Sequence, residues 1–383
     1  MNVKKIRLIN FRNLSDLAID FDSSLNIFIG NNAQGKTNII ESIYTLMRGS
    51  SYRTADDRNL INWNQRKSYI LGEVQLKEEN YQINILLQSI ENSEENNKDF
   101  KKTIKINKKY QNRSTLFKKF NPVIFSPEDL QIIKSTPSLR RKFLDEVIIN
   151  IYPPYYKYLK NYNRILFQRN TLLKKERIKP EIKKQLAIWD QKIIELGTLI
   201  ILYRIKILKK LNQKAKIFHQ MMSENQETIK LKYKSNILSD YADDENTIRK
   251  VMQLKLEDAQ EKDFQLKLTT VGPHRDDYYI MNNKVNLGIY GSQGQQRTAV
   301  LSLKLAALEL FKEIENEYPP LLLDDVMSEL DQERKIFLIK LIKEKAVQTF
   351  ITSIDLNNLN QIDLLKNSKI FRVKKGALEE DEK

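Results

Sequence analysis

No cysteine occurs among the 383 residues, which excludes a disulfide scaffold, a thiolate zinc site and a cysteine nucleophile. Histidine is almost absent too, and two residues cannot build a histidine-rich metal centre. No apolar run approaches the roughly 18 residues needed to span a bilayer. Residues 1–9 alternate basic and apolar side chains where a signal peptide would place an apolar block. These absences predict a cytoplasmic protein with no membrane partner. Glycine is scarce, at 10 residues, against the ~7% of average proteins. Gly30, Gly35, Gly291 and Gly294 nevertheless fall in just two short loops. Glycine kept against such scarcity marks backbone that must take φ > 0 or admit a ligand closely.

Hydrophobic residues at 41% with 30% charged side chains describe a globular chain, long enough for one oversized domain or two ordinary ones. Acids are outnumbered: 49 Asp and Glu face 65 Lys and Arg, a net charge of +16. The excess is local. Residues 151–220 hold 17 basic against 4 acidic side chains, and residues 101–120 hold eight basic and none acidic. Confined positive charge is the footprint of a polyanion partner, although a solvated lysine-rich face has the same composition.

The N-terminal segment alternates as strands over residues 5–11 and 17–21, and a third strand, 25–29, runs into the first glycine loop. Behind that loop Ile40, Ile43, Tyr44 and Met47 share one helix face. Residues 69–87 and 102–110 are strand-like, separated by an acidic loop around 91–99. Ser126 before Pro127, with Glu128 and Asp129 following, reads as a helix start, and another begins near Pro137. From there to about 264 the pattern is helical. Leu186, Trp189, Ile193, Leu196, Ile200, Tyr203 and Ile207 form a heptad seam that Lys210 interrupts. Tyr155, Tyr158, Tyr162 and Ile165 supply an antiparallel partner, with Pro180 in the connection. The final third returns to apolar strands (321–323, 347–352, 370–373) alternating with helices, the pattern of a sheet buried on both faces. The expected organisation is an α/β head, residues 1–127 and 265–383, split by a helical lobe at 128–264.

Gly30-Asn31-Asn32-Ala33-Gln34-Gly35-Lys36-Thr37 matches G-x-x-x-x-G-K-[ST]. Its backbone N–H groups can wrap phosphate oxygens, Lys36 can reach the β and γ phosphates, and the Thr37 hydroxyl can ligate Mg²⁺. The strand before it and the helix after it are what the mechanism requires. The partner is an apolar strand ending in carboxylates, Leu321-Leu322-Leu323-Asp324-Asp325, with Asp324 serving Mg²⁺ and Asp325 orienting the attacking water. A second loop, residues 291–297, precedes a long helix and offers N–H groups to an anion; by composition it is equally a polar turn. His274, Asp276 and Asp277 superficially suggest a metal site. Near neighbours in sequence rarely converge on one ion, so Gly272 and Pro273 are expected to set a turn whose charged residues link loops.

The order of these motifs, together with Ser328-Glu329-Leu330-Asp331, resembles the split ATPase head of the ABC type found in SMC proteins. Within that group the chain is similar to the RecF family of bacterial recombination mediators. That likeness rests on residues 8–13, 125–130, 272–277 and 352–355. The resemblance implies ATP and Mg²⁺ as cofactors and a homodimer that forms on ATP. Ser292, Gly294 and Gln295 of one protomer would close over the γ-phosphate held by Lys36 of the other, with Asp331 across the interface. It also implies binding of double-stranded and gapped DNA, and, with RecR and RecO, help in loading RecA. Transporter heads carry glutamate where this chain has Asp325, and histidine where it offers Thr352 and Ser353; the shorter carboxylate predicts slow, switch-like hydrolysis. A nucleotide-gated DNA-binding scaffold without useful hydrolysis is the alternative. A transporter subunit would leave the basic lobe idle, and a small-molecule kinase would leave residues 291–296 unexplained.

Overall fold

The computed structural model describes residues 1–91, 98–175, 180–238, 244–355 and 368–379. By compactness the chain divides into one unit of residues 1–129 with 311–383 and another of residues 130–310. Residues 265–310, assigned above to the head, therefore pack with the helical segment, and the division falls inside the helix Gln293–Glu315. Among the described residues no helix is long and apolar enough to cross a membrane.

In chain order the first strands are β1 (Asn2–Phe11), β2 (Leu14–Asp20), β3 (Leu25–Ile29), β4 (Lys67–Leu76), β5 (Glu79–Glu91), β6 (Lys98–Ile106), β7 (Lys109–Gln111) and β8 (Val123–Phe125). The later ones are β9 (Ile229–Lys234), β10 (Asp277–Asn282), β11 (Val285–Asn286), β12 (Leu321–Leu323), β13 (Thr349–Ser353), β14 (Ser368–Lys374) and β15 (Ala377–Leu378).

The first unit contains an antiparallel sheet in the order β2-β1-β4-β5-β6-β7. Its strands obey the period-two rule: Ile6, Leu8, Ile70, Ile83, Ile85 and Ile104 are buried, while Lys5, Arg7 and Lys101 face solvent. The run 69–87 is two strands, broken where Lys77 turns to φ 56°. The expected acidic loop lies mostly at 92–97, outside the described residues. The second sheet, β15-β14-β3-β13-β12-β8, is parallel except at its β15 edge. Every residue of β3, β8, β12 and β13 is buried, as continuous apolar strands covered on both faces must be. The helix Lys36–Arg48 packs on both sheets through Ile39, Ile40, Ile43, Leu46 and Met47, all fully buried. Each is worth about 1.5–3 kcal/mol of transfer free energy. That burial anchors the helix whose first turn carries Lys36 and Thr37.

In the second unit the helices Tyr155–Leu173 and Pro180–Met222 run antiparallel: Tyr155 meets the Tyr203 ring, and Arg169 meets Asp190 at 2.6 Å. Leu186, Ile193, Ile200 and Ile207 are buried along the seam. The helix does not stop at Lys210. Burial continues one residue out of phase, on Leu211, Ala215, Phe218 and Met222, because a 3.6-residue turn drifts from a 3.5-residue repeat. Pro180 opens the long helix, where its missing N–H costs nothing, instead of sitting in the connection. Ser126–Pro127 starts only a short 3₁₀ turn, Pro127–Leu130, and a single helical turn, Gln131–Lys134. The helical reading of the lobe also passed over β9. Ile229, Leu231 and Tyr233 are buried there and Lys230, Lys232 and Lys234 exposed, in a sheet of order β11-β10-β9.

Candidate functional site

The carboxyl ends of parallel strands share one edge of a sheet, and ligands of open α/β sheets bind there. At this edge β3 releases residues 30–35, β12 releases Asp324, and β13, which lies between them, ends in Thr352 and Ser353. The loop depends on left-handed backbone: Gly30, Ala33 and Gly35 have φ of 156°, 62° and 113°. A Cβ on Gly30 would stand 2.3 Å from the Val373 carbonyl oxygen of the neighbouring strand. Gly30→Ala is therefore expected to cost about 2–4 kcal/mol through clash and backbone strain. Denaturant titration measures this, and a loss under 1 kcal/mol would mean that the loop is free to move off β14. From the other side the Lys375 and Gly376 N–H groups donate to the Gln34 side chain and carbonyl at 2.6 and 2.9 Å.

The first bond of the following helix runs from the Ile39 N–H to the Gly35 carbonyl at 3.0 Å. Helix geometry thus leaves the N–H groups of Lys36, Thr37 and Asn38 without intrahelical acceptors, at the positive end of the helix dipole. Lys36 is buried as a residue, and its ammonium, partly shielded, donates to the carbonyls of Gly30 and Asn31 at 2.6 and 2.8 Å. Burial lowers its pKa, against the pull of Asp325 and Asp324. Such a set of donors suits a polyphosphate.

Thr37 and Asp324, 287 positions apart, meet: the Thr37 hydroxyl donates to Asp324 Oδ1 at 2.9 Å. Two more hydroxyls complete the carboxylate's shell: Tyr52, which no sequence motif singled out, and Thr352, which the 352–355 motif marked without tying it to Asp324. Tyr52 donates to Oδ2 at 2.8 Å and Thr352 to Oδ1 at 3.1 Å. Burial raises the Asp324 pKa, partly offset by the Tyr52, Thr37 and Thr352 hydroxyls. A hydroxyl and a buried carboxylate together offer hard oxygen ligands, the set that Mg²⁺ takes beside substrate phosphates. Among the described residues no group of three His, Cys, Asp or Glu side chains forms an all-protein metal cage, and His274 lies in none.

The raised pKa has a sign. The ionised Asp324 carboxylate is the costly form, the cost is complete above its pKa, and it is relieved as pH falls through that value. Asp324→Asn is therefore expected to leave the ligand-free protein at least as stable as wild type at neutral pH, with the difference shrinking on acidification. Thermal melts across pH test this, and a variant that melts lower at neutral pH would contradict it.

Asp325 stands in left-handed backbone, φ 55°, with its carboxylate exposed and bonded to the Ser328 hydroxyl at 2.9 Å. Its N–H donates to Thr352 Oγ1 at 2.8 Å, so Thr352 steadies both aspartates. Beside them Glu41, fully buried, accepts from Arg12 at 2.8 and 3.0 Å and from Arg53 at 3.2 Å. Nothing in the local sequence marks Tyr52, Glu41 or Arg53, because each acts by a contact that only the fold creates. Asp331 caps the helix Gln332–Lys345 and pairs with Arg334.

The second glycine loop belongs to the other unit. Ser292 and Gln295 form a capping box: the Ser292 N–H donates to Gln295 Oε1 at 3.0 Å, and the Gln295 N–H to Ser292 Oγ at 3.2 Å. The Gln295 amide also donates to Glu227 at 2.8 Å. Gly294 is exposed, and its missing Cβ would meet only Ser292 Oγ, at 4.0 Å. In the same unit Gly272 (φ 135°) and Pro273 set a turn. His274 bonds Tyr162 at 2.7 Å, and burial pushes its pKa down to about 4. Asp276 accepts from Tyr233, Ser235 and Asn236, and Asp277 from Arg140. The charged motif links loops.

The basic footprint is smaller than composition suggests. Arg169 and Arg204 are buried in ion pairs with Asp190, Asp263 and Asp145. Phe117 and Phe120 are core residues, whereas Tyr110 is exposed beneath the Lys105 ammonium. Lys101, Lys108, Lys109, Arg113 and Lys118 are exposed.

Comparison with known proteins adds independent findings. The family model for the RecF/RecN/SMC N terminal domain matches residues 2–379. The DNA replication and repair proteins RecF of Clostridium kluyveri and Clostridium tetani are each 41% identical to the chain, over 379 and 377 residues. The matches cover 99% of both chains in the first case and 98% and 99% in the second. A solved structure of the recombination mediator protein RecF with ATP, from the RecFOR pathway, is similar at TM-score 0.86 and 35% identity, covering 98% of this chain and 96% of that one. The Smc head domain of Pyrococcus furiosus, at TM-score 0.56 and 16% identity over 98% of this chain and 95% of that one, shares the fold.

Proposed function

The chain belongs to the RecF family of ABC-type ATPase heads, and from that premise we propose that it is an ATP-dependent DNA-binding protein of DNA replication and repair. One observation carries the nucleotide part: the glycine loop and the buried Asp324 meet through Thr37 at the carboxyl edge of the parallel sheet. The RecF structure with ATP supports ATP as the nucleotide here.

In this reading the N–H groups of residues 31–37 bind the phosphates, and Lys36 exchanges its two carbonyl partners for β- and γ-phosphate oxygens. Thr37 and Asp324 hold Mg²⁺, which when bound supplies positive charge against the phosphate oxygens. Tyr52 and Thr352 fix the Asp324 carboxylate. Asp325 orients water toward the γ-phosphate, slowly, because its carboxylate is one methylene shorter than glutamate and already engaged by Ser328.

Closure comes from a second copy. The Ser292 hydroxyl and the bare Gly294 backbone of one protomer cap the triphosphate on the other, with Gln295 holding the loop's shape and Asp331 across the interface. Exposed Ile289 and Tyr290, at 69% and 74%, precede that loop and fit an interface that is open in the single chain. The functional head then comprises residues 1–127 and 265–383, with 128–264 as the inserted lobe. DNA, duplex or gapped, meets exposed lysines of 101–120 and of the lobe, so its affinity falls steeply with salt. RecR and RecO are the expected partners upstream of RecA.

Phosphate release with gapped DNA, for wild type and Asp325→Asn, tests the enzyme reading. A slow wild-type rate that drops roughly a hundredfold in the variant is expected for loss of a water-positioning carboxylate. Equal rates at the buffer blank would leave a nucleotide-gated scaffold, the reading that the Ser328 contact on Asp325 favours.

A further inference from the structure

Trp63 is 90% exposed, at the tip of a turn closed by the Gln65 N–H on the Asn62 carbonyl at 3.0 Å. A tryptophan ring is costly to leave in water, and nothing in the nucleotide site uses this one. Its surroundings are polar and positive. Residues 59–72 hold Arg66 and Lys67, both exposed, and no acid. The two acids just before them are engaged, Asp56 with Arg58 and Asp57 with Lys102. Across the sheet, Lys67 pairs with Gln88 and Gln88 with Lys101, so the turn stands beside a row that leads into the basic stretch 101–120.

The turn is held firmly. The Asn62 N–H donates to the Asn10 carbonyl, and the Arg12 N–H to the Leu60 carbonyl, each at 2.9 Å. Arg12 is in turn bidentate to Glu41 on the helix that carries Lys36. The segment that ends in Trp63 also contains Tyr52, a ligand of Asp324 through hydrogen bonding. The ring is thus presented on a fixed mount, which lowers the entropy lost on binding.

We propose that Trp63 stacks on an unpaired nucleobase at the boundary between duplex and single strand, and that this stacking makes the protein bind gapped DNA more tightly than continuous duplex. The inference rests on the DNA-binding reading above and adds to it the residue that recognises the junction. A protein partner would call for further exposed apolar area around the ring, and Asn62, Asn64 and Gln65 supply amides instead. Amides bond base edges, cations meet phosphates, and a flat ring meets a base face. Continuous duplex buries its base faces in the stack, whereas a gap exposes one.

The test uses a Trp189→Phe background, which leaves Trp63 as the chain's single tryptophan. Tryptophan emission and iodide quenching are followed with ATP present, while anisotropy of labelled DNA reports binding. Gapped DNA is expected to quench Trp63 emission and shield it from iodide, and blunt duplex is not. Trp63→Ala should bind gapped DNA about five- to a hundredfold more weakly, with affinity for blunt duplex unchanged and with Trp63→Phe intermediate. Binding of both DNAs with Trp63 emission and accessibility unaltered would overturn the inference and leave the DNA reading standing. Absence of binding to either DNA would overturn both.

Discussion

Lys36→Ala is expected to abolish nucleotide-dependent behaviour while leaving the fold intact. Lys36 is a buried residue whose ammonium, only partly shielded, lies against two loop carbonyls, its pKa lowered by burial. A cation held in that state gains most from an arriving phosphate, because charge-assisted bonds strengthen where water is scarce. Removing one preorganised group that meets developing charge typically costs about 10²–10³ in rate, and ATP affinity should fall with it. The fold should survive, since Asn31 is exposed and Gly30 half-buried, so water can reach the freed carbonyls. Binding of a fluorescent ATP analogue and phosphate release provide the readout, with circular dichroism as the folding control. ATP affinity within threefold of wild type would remove Lys36 from the site.

Gly294→Asp is expected to act in opposite directions on stability and assembly. Gly294 occupies the second position of the helix that Ser292 caps, in ordinary space and with no neighbour closer than 4.0 Å to an added Cβ. A glycine there weakens the helix by about 0.5–1 kcal/mol, and an acid in the first turn adds about 0.3–1 kcal/mol of favourable dipole interaction. The isolated chain should therefore melt no lower than wild type. If the loop closes over a partner's triphosphate, the new carboxylate meets the γ-phosphate at close range, and ATP-dependent pairing should weaken more than a hundredfold through like-charge repulsion. A variant that is less stable and pairs normally would show that Gly294 serves the helix instead of an interface.

The parts of this site that were legible in the sequence are those whose chemistry is local. Residues 30–37 carry their function in consecutive backbone groups, so spacing alone places them, and the strand before and helix after are found as expected. Asp324 was legible only beside the glycine loop, because an apolar strand ending in a charged turn is common and the loop's motif is what calls for a carboxylate partner. Tyr52 was not legible, and Thr352 was marked as a position but not as a partner of Asp324, since each role is a contact with Asp324 across 272 and 28 positions. Basic composition misled in part: Arg169 and Arg204 are internal struts, and charge counts cannot separate a buried ion pair from a DNA contact. The β9 alternation Ile229, Leu231, Tyr233 was present in the sequence, but helical neighbours on both sides masked a six-residue strand that needs β10 to complete it.

Sedimentation velocity, with and without ATP and Mg²⁺, tests most directly whether two chains share each nucleotide. The wild-type chain should sediment as a monomer alone and as a dimer with ATP, and Gly294→Asp should remain a monomer in both. A wild-type chain that binds ATP yet stays monomeric, or a Gly294→Asp chain that dimerises as readily as wild type, would contradict closure by the second glycine loop.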